Sequence, residues 1–368
     1  MRRILGNIVL ALVVFALMFL LAEGTWRLTI SSGDMQRQYD PLVGLVNPPH
    51  AEWMVRAPEF VTRMRTNALG FRGPELSPRG NPEELRILFL GDSFVEEKPV
   101  AEEDRFVERT AELLSGELGR PVTSRALAVG GANPARELLF YRVYGRAWDS
   151  DVVIQVLFLE NDLFSRSGSY LFRRDSSGAL ELADIRPEPF LPCSLKCQLL
   201  RKSEVLLQIY RIVRGRGSGD GKPGLGDLAG YTIDGQKQYE EEGRFDVLRA
   251  LVQALRQDVE KDGAIFFTVL MPAGFEIEDE WRKEIQEQYR DVMPDTGWRP
   301  SWLLDRGGNI LESAGIRVLD LRPALVARAA QDQHLYLRIN GHLNAAGSRA
   351  VAEEIIETIA KLLTGEKP

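Results

Sequence analysis

A chain of 368 residues, 44% hydrophobic and 27% charged, can bury a full core and has none of the compositional marks of a disordered polymer. Its 46 basic and 53 acidic side chains leave a formal net charge of −7, so no global basic field exists to grip a phosphate backbone and nucleic acid is not an expected partner. Two cysteines, Cys193 and Cys197, and three scattered histidines supply too few ligands for a metal centre. The cysteines read as structural, able to close a small local disulfide in an oxidising compartment.

Arg2 and Arg3 open the chain and an apolar run follows from Ile4 to Ala22, broken only by Gly6 and Asn7. At about 1.5 Å per residue the run reaches roughly 28 Å, close to the hydrocarbon thickness of a bilayer. The arginines before it and Glu23 after it predict a cytoplasmic N-terminus and a translocated, extracytoplasmic or periplasmic body. A cleavable signal peptide is the alternative, although the run is long for one and Leu20-Leu21-Ala22 makes a weak cleavage site. Residues 1–30 are therefore read as a cytoplasmic tip and transmembrane anchor, and 31–368 as one domain.

Residues 31–82 are rich in Pro, Gly and Arg and end in MRTNALGFRGPELSPRGNP, a pattern that predicts loops with at most one short strand. Beyond them, strand-length apolar runs alternate with helical patterns. RILFLG (86–91), a helix over 104–117, SRALAV (124–129), a helix over 134–147 and DVVIQVLFL (151–159) come first, and the rhythm resumes at AIFFTVLMP (264–272) and IRVLDL (316–321). That alternation predicts an α/β domain with parallel strands joined by helical crossovers.

Between Phe164 and about Gln236 the rhythm breaks, and we read an insertion at about 165–236. YLFRRDSSGALELAD predicts a hairpin. Residues 203–214 place Leu206, Ile209, Tyr210 and Val213 at helical spacing, which fits an amphipathic helix packed on the domain, with a lid or a membrane-surface helix as the sharper alternative. The Gly-rich stretch 215–229 lacks the flanking strand and helix of a phosphate-binding loop, so no nucleotide and no organic cofactor is implied. The last helix begins near Asn344 and carries Val351, Ile355, Ile359 and Leu362 on one stripe.

The strongest local signal is RILFLGDSFVEE, where a buried strand ends in Gly91-Asp92-Ser93. A serine there stands at the carboxyl edge of the sheet, where open parallel sheets carry their active sites. A hydroxyl needs a base. His50 lies in the Pro-rich leading segment and His334 precedes LYLRI, an apparent short strand, whereas His342 sits in NGHLNAAG directly before the last helix. Asp92, next to the candidate nucleophile, is expected to support the turn.

Together these features resemble the SGNH (GDSL) hydrolase family in four ordered blocks. GDSF carries Ser93, matching the nucleophile. ALAVGGANPAREL carries Gly131, matching the glycine whose amide lines the oxyanion hole. FLEND carries Asn161, matching the side-chain oxyanion donor, and NGHLNAAG carries His342, matching the base. The resemblance implies a three-layer α/β/α sandwich of flavodoxin-like topology and an oxyanion hole built from the Ser93 amide, the Gly131 amide and Asn161. The bland alternatives are turn and capping roles for Gly130-Gly131 and Asn161.

One departure stands out. Members of the similar subgroup usually carry Asp two residues before the histidine, and here the position is Asn340. An aspartate there fixes the imidazole tautomer, and in the trypsin example the Asp-to-Asn exchange lowers turnover about ten-thousandfold. His342 would then lean on a backbone carbonyl, on the side-chain oxygen of Asn340, or on another carboxylate such as Asp332; slow deamidation at Asn340-Gly341 is a further route.

RTNALGFRGPE and the N-terminal run are also similar to bacterial SGNH proteins of envelope polysaccharides, among them alginate acetylation proteins. The resemblance implies hydrolysis of an acyl or acetyl ester on an envelope carbohydrate or lipid. The alternatives are O-acyl transfer to a polysaccharide, and a catalytically impaired module that binds polysaccharide or scaffolds polysaccharide-synthesis proteins.

Overall fold

In the computed structural model of the protein, residues 2–29, 37–164, 172–174, 180–182, 205–206, 228–290, 298–331 and 334–364 are described. The first element is a single helix, Arg2–Thr29, which leaves Leu10, Phe15, Met18 and Leu21 exposed. Among the described residues no helix is long and apolar enough to cross a membrane.

The leading segment is more ordered than its composition suggests. It forms two antiparallel hairpins, β1 (Gln38–Asp40) with β2 (Gly44–Val46) and β3 (Glu52–Ala57) with β4 (Phe60–Arg65). The expectation of loops with at most one strand is corrected here. β4 alternates buried Thr62 and Met64 with exposed Val61, Arg63 and Arg65, so polar residues share both faces and the period-2 hydrophobic signal is weak. Gly70 closes the segment with φ +80°, and an added Cβ would stand 2.1 Å from the Asn47 carbonyl oxygen, so only glycine fits.

β5 (Leu85–Gly91), β6 (Val122–Ala128), β7 (Val152–Leu157), β10 (Ile265–Leu270) and β11 (Val318–Asp320) form one parallel sheet in the order β11-β10-β7-β5-β6. β5 and β7 are buried along their whole lengths, which explains their continuous apolar runs. The helices Phe106–Leu118 and Ala345–Thr364 pack together on one face. Pro134–Phe140, Arg244–Lys261 and Trp302–Ser313 form a second set, as right-handed crossovers of opposite direction require. Numbered among themselves, the five strands run 2-1-3-4-5, the flavodoxin-like order, and the topological switch lies at β5, between β6 and β7. The predicted α/β class, its parallel sheet and its topology are all found.

Three details differ from the sequence reading. The helix expected over 134–147 is α-helical only over Pro134–Phe140 and then widens into a π turn (Tyr141–Gly145) and a 3-10 turn (Arg146–Trp148). Gly145 marks the reason: a Cβ there would meet Leu88 at 2.8 Å and Tyr141 at 3.0 Å, so this stretch is pressed close onto β5. LYLRI forms turns and one isolated bridge, Tyr336 to Leu343, instead of a strand. The helices Ile233–Glu241 and Arg244–Lys261 were not anticipated.

The predicted hairpin is present as β8 (Phe172–Arg174) and β9 (Leu180–Leu182). Of the helix expected over 203–214 only Val205 and Leu206 are described, in a helical conformation. Cys193, Cys197, the stretch 215–227 and Asp332 lie outside the described residues.

Candidate functional site

The site grows from the end of β5. Gly91 is obligatory there, because a Cβ would come within 2.4 Å of Val95 and 3.2 Å of the Val156 carbonyl oxygen. Asp92 caps the short helix Ser93–Glu96, its Oδ1 accepting from the Phe94 amide at 2.9 Å. The turn then leaves the helix through Glu97 at φ 48°. Ser93 is half-buried at the carboxyl edge of the sheet, and its amide makes no hydrogen bond among the described residues.

His342 reaches Ser93 across the edge of the sheet, with Nε2 2.8 Å from Oγ. Its Nδ1 lies 3.2 Å from the backbone oxygen of Asn340. A carbonyl only accepts, so Nδ1 carries the proton and Nε2 presents its lone pair to the serine hydroxyl. Phe94 flanks the ring at a centroid distance of 4.8 Å, and Phe158 and Tyr336 pack against Phe94 in turn. Burial is the first cause holding the His342 pKa below its ordinary 6.5, opposed by the Asn340 carbonyl and Glu96 and assisted by Lys98. The ring keeps partial contact with solvent, which limits that push.

The other two family positions arrive from neighbouring strands. Gly131, after β6, has φ +74° and open space where a side chain would begin. Its neighbour Gly130 has no such room, since a Cβ would lie 3.0 Å from both Glu96 Oε2 and Arg37 Nη2 and 3.4 Å from the Ser93 Cβ. Asn161, after β7, donates from Nδ2 to Asp92 Oδ2 at 2.9 Å and lies 3.5 Å from the Ala132 oxygen. Asp92 therefore has two partners, the turn and Asn161. Burial pushes its pKa up to about 6 against the pull of the Phe94 amide and Asn161.

Residues of the leading segment brace this edge, and the sequence reading missed them. Buried Glu96 accepts from Gly130 N at 2.9 Å and from Asn47 Nδ2 at 2.8 Å, tying the glycine turn to the first hairpins. Arg72, also buried, donates from Nη1 to the Glu96 oxygen at 3.0 Å and to the Glu97 oxygen, and from Nη2 to the Val100 oxygen at 2.8 Å. The only signal for these contacts was the similarity of RTNALGFRGPE, which says nothing of which carbonyls the arginine holds.

The structure thus gathers Ser93, His342, Gly131 and Asn161 at the carboxyl edge around the topological switch. The Asn340 side chain is not what orients His342; its backbone is. His50 and His334 lie elsewhere, each on the surface beside a glutamate, Glu75 and Glu278.

A serine, a histidine and an asparagine amide gathered at the carboxyl edge of a flavodoxin-like parallel sheet form a constellation suited to acyl chemistry. The family model for the SGNH hydrolase-like domain of the acetyltransferase AlgX matches residues 231–368, less than half of the chain. That segment contains His342 but not Ser93, Gly131 or Asn161. No curated protein matches the chain. Among solved structures, the acetyl xylan esterase AlAXEase is 14% identical, with a TM-score of 0.38, over 75% of this chain and 100% of its own. The psychrotrophic esterase EstA of Pseudoalteromonas sp. is 11% identical, with a TM-score of 0.38, over 76% and 98%. A lipase/acylhydrolase from Enterococcus faecalis is 11% identical, with a TM-score of 0.40, over 75% and 95%. These likenesses are too loose to bear on activity, and the strand order of the chain itself carries the fold.

Proposed function

We propose that the chain is a serine-dependent esterase that removes an acyl or acetyl group from an envelope carbohydrate or lipid. The observation that carries this reading is the 2.8 Å Ser93–His342 contact with the Nδ1 proton directed to a backbone carbonyl. His342 Nε2 takes the Ser93 proton as Oγ attacks the ester carbonyl. The oxyanion rests on the Ser93 and Gly131 amides and on the second Asn161 N–H, which turns to it from its long 3.5 Å contact with the Ala132 oxygen. The C–O bond breaks as His342 returns the proton to the departing alcohol, and water then releases the acid by the same steps. Offering the full chain p-nitrophenyl acetate tests this: turnover that persists undiminished in Ser93→Ala would sink it.

Replacing Asn161 with Ala should lower kcat about a hundredfold, the cost of one oxyanion donor, with KM little changed. A drop in kcat smaller than about threefold would remove Asn161 from that role.

Because a backbone oxygen already fixes the tautomer, Asn340→Asp should be no more than a few fold faster than the wild type. A gain of tens of fold would mean that the carbonyl orients the ring poorly.

The pH profile follows from the same groups. A base acts in its neutral form, and burial holds His342 below 6.5, so the acid limb of kcat/KM should have its midpoint below pH 6.5. As pH falls through about 6, Asp92 is protonated and loosens its hold on Asn161, which should make the limb steeper than a single proton allows. A one-proton limb centred above pH 6.5 would contradict both statements.

O-acyl transfer is the second reading, favoured by the acetyltransferase named in the matching family description. Both reactions share the acyl-serine, and the outcome depends on whether water or a sugar hydroxyl reaches it. Acylated sugar formed when donor and oligosaccharide are supplied together would establish transfer. A chain that neither hydrolyses nor transfers would leave the third reading, a polysaccharide-binding or scaffolding module.

Residues 1–30 are proposed to anchor the single domain 31–368 to the cytoplasmic membrane, with the domain extracytoplasmic or periplasmic. The support is the apolar run from Ile4 to Ala22, the exposure of Leu10, Phe15, Met18 and Leu21 within it, and the preceding arginines. Partner proteins of polysaccharide synthesis would meet the domain on that side.

A further inference from the structure

The tip of the second hairpin touches the histidine loop, although nearly 300 residues separate them in sequence. Ala57 pairs with Phe60, so Pro58 and Glu59 form a two-residue turn between β3 and β4. Glu59 Oε2 accepts from the amides of Ile339 at 2.9 Å and Asn340 at 2.7 Å.

The loop has its own closure: Leu337 N donates to the His342 oxygen at 2.8 Å, and Gly341 N donates to the Leu337 oxygen at 2.8 Å, with Gly341 at φ 79°. Ile339 N and Asn340 N face out of that closure, and one carboxylate oxygen takes both. The Asn340 carbonyl one atom pair further on is the acceptor that fixes Nδ1 of His342.

We infer that Glu59 is a positioning residue for the base: it holds the Ile339–Asn340 backbone so that the Asn340 carbonyl meets His342 Nδ1 and Nε2 faces Ser93. The triad aspartate normally contacts the imidazole itself, whereas here a carboxylate from the leading segment acts one residue away, through the backbone. The lever is geometric. A displacement of about 1 Å at a reacting group can cost a hundredfold in rate, and the carbonyl has no side chain of its own to keep it in place.

The inference rests on the proposed function only for its kinetic arm, so the test has two arms. Long-range proton–nitrogen NMR on the 15N-histidine-labelled full chain in detergent reports the tautomer of His342, assigned through His342→Ala, whether or not any ester is turned over. The wild type should show the neutral ring protonated on Nδ1. Glu59→Ala should show a mixture of tautomers, together with a fall in kcat of roughly tenfold or more while KM stays within about twofold. Glu59→Gln keeps an oxygen that can accept both amides, and should restore the tautomer and bring kcat within about threefold of the wild type. Glu59 is half-buried on a surface turn, so neither variant disturbs the core.

A wild-type tautomer and kcat in Glu59→Ala would overturn the inference, as would equal impairment of the Ala and Gln variants. A tautomer change in a chain that hydrolyses no ester would support Glu59 as positioning residue while the esterase reading falls.

Discussion

Ser93→Ala is expected to lower ester turnover by about ten-thousandfold or more, to the level that oxyanion donors and binding supply without a nucleophile. The magnitude follows from the site. Among the described residues no other hydroxyl is placed on His342 Nε2, which meets Ser93 Oγ at 2.8 Å. Without an acyl-serine, water must attack the ester directly and the covalent route is lost. His342→Gln should cost a similar factor, because an alcohol near neutral pH is a weak nucleophile without its base. The double variant should be little worse than either single one, since the two groups act as a unit. Steady-state p-nitrophenyl acetate hydrolysis by the three variants checks this, and Ser93→Ala keeping more than about a tenth of wild-type kcat would contradict it.

The second large effect is on stability. Arg72→Met should destabilise the domain by about 3–5 kcal/mol, the range for breaking a buried charged network from one side. Arg72 is 2% exposed, and its guanidinium serves the oxygens of Glu96, Glu97 and Val100, the carbonyls that end the nucleophile turn. Methionine fills most of the volume and satisfies none of them. It also removes the cation that sits among Glu97, Glu108 and Glu96. Burial above all, then the neighbouring Arg105, pulls the Arg72 pKa down to about 10, so the residue remains charged at neutral pH. Arg72→Lys should rescue little, because an ammonium cannot span carbonyls that the planar guanidinium reaches from two nitrogens. Urea unfolding followed by tryptophan fluorescence measures the change, and a loss below about 1 kcal/mol would show that water replaces the arginine without cost.

Three of the four catalytic candidates were legible in the sequence because each sits where a strand runs out, and His342 because it directly precedes the last helix. Ser93 follows β5, Gly131 follows β6 and Asn161 follows β7, and apolar runs of strand length mark those ends whatever the rest of the chain does. The parallel sheet was legible for the same reason. The bracing of the site was not. Arg72, Asn47, Glu96 and Glu59 act through hydrogen bonds between segments distant in sequence, and no periodicity or spacing connects a polar residue in a Gly-rich stretch with a carbonyl elsewhere. The hairpins of the leading segment escaped because their strands bury polar Thr62 and expose apolar Val61 and Met54, against the pattern that identifies strands.

Asn340 shows the same limit from the other direction. Read as a side chain it is a defect in a triad; read as backbone it supplies the acceptor that the imidazole needs. Side-chain identity is written in the sequence, but the direction of a carbonyl is set by the Leu337–His342 turn and by what holds that turn from outside.

Covalent labelling shows whether Ser93 is an activated nucleophile without knowledge of the substrate. The folded full chain should react with a fluorophosphonate, the adduct should map by peptide mass spectrometry to Ser93, and His342→Gln should abolish it. Folded wild-type protein that takes up no label, or that is labelled equally well without His342, would contradict the claim that these two residues form a working catalytic pair.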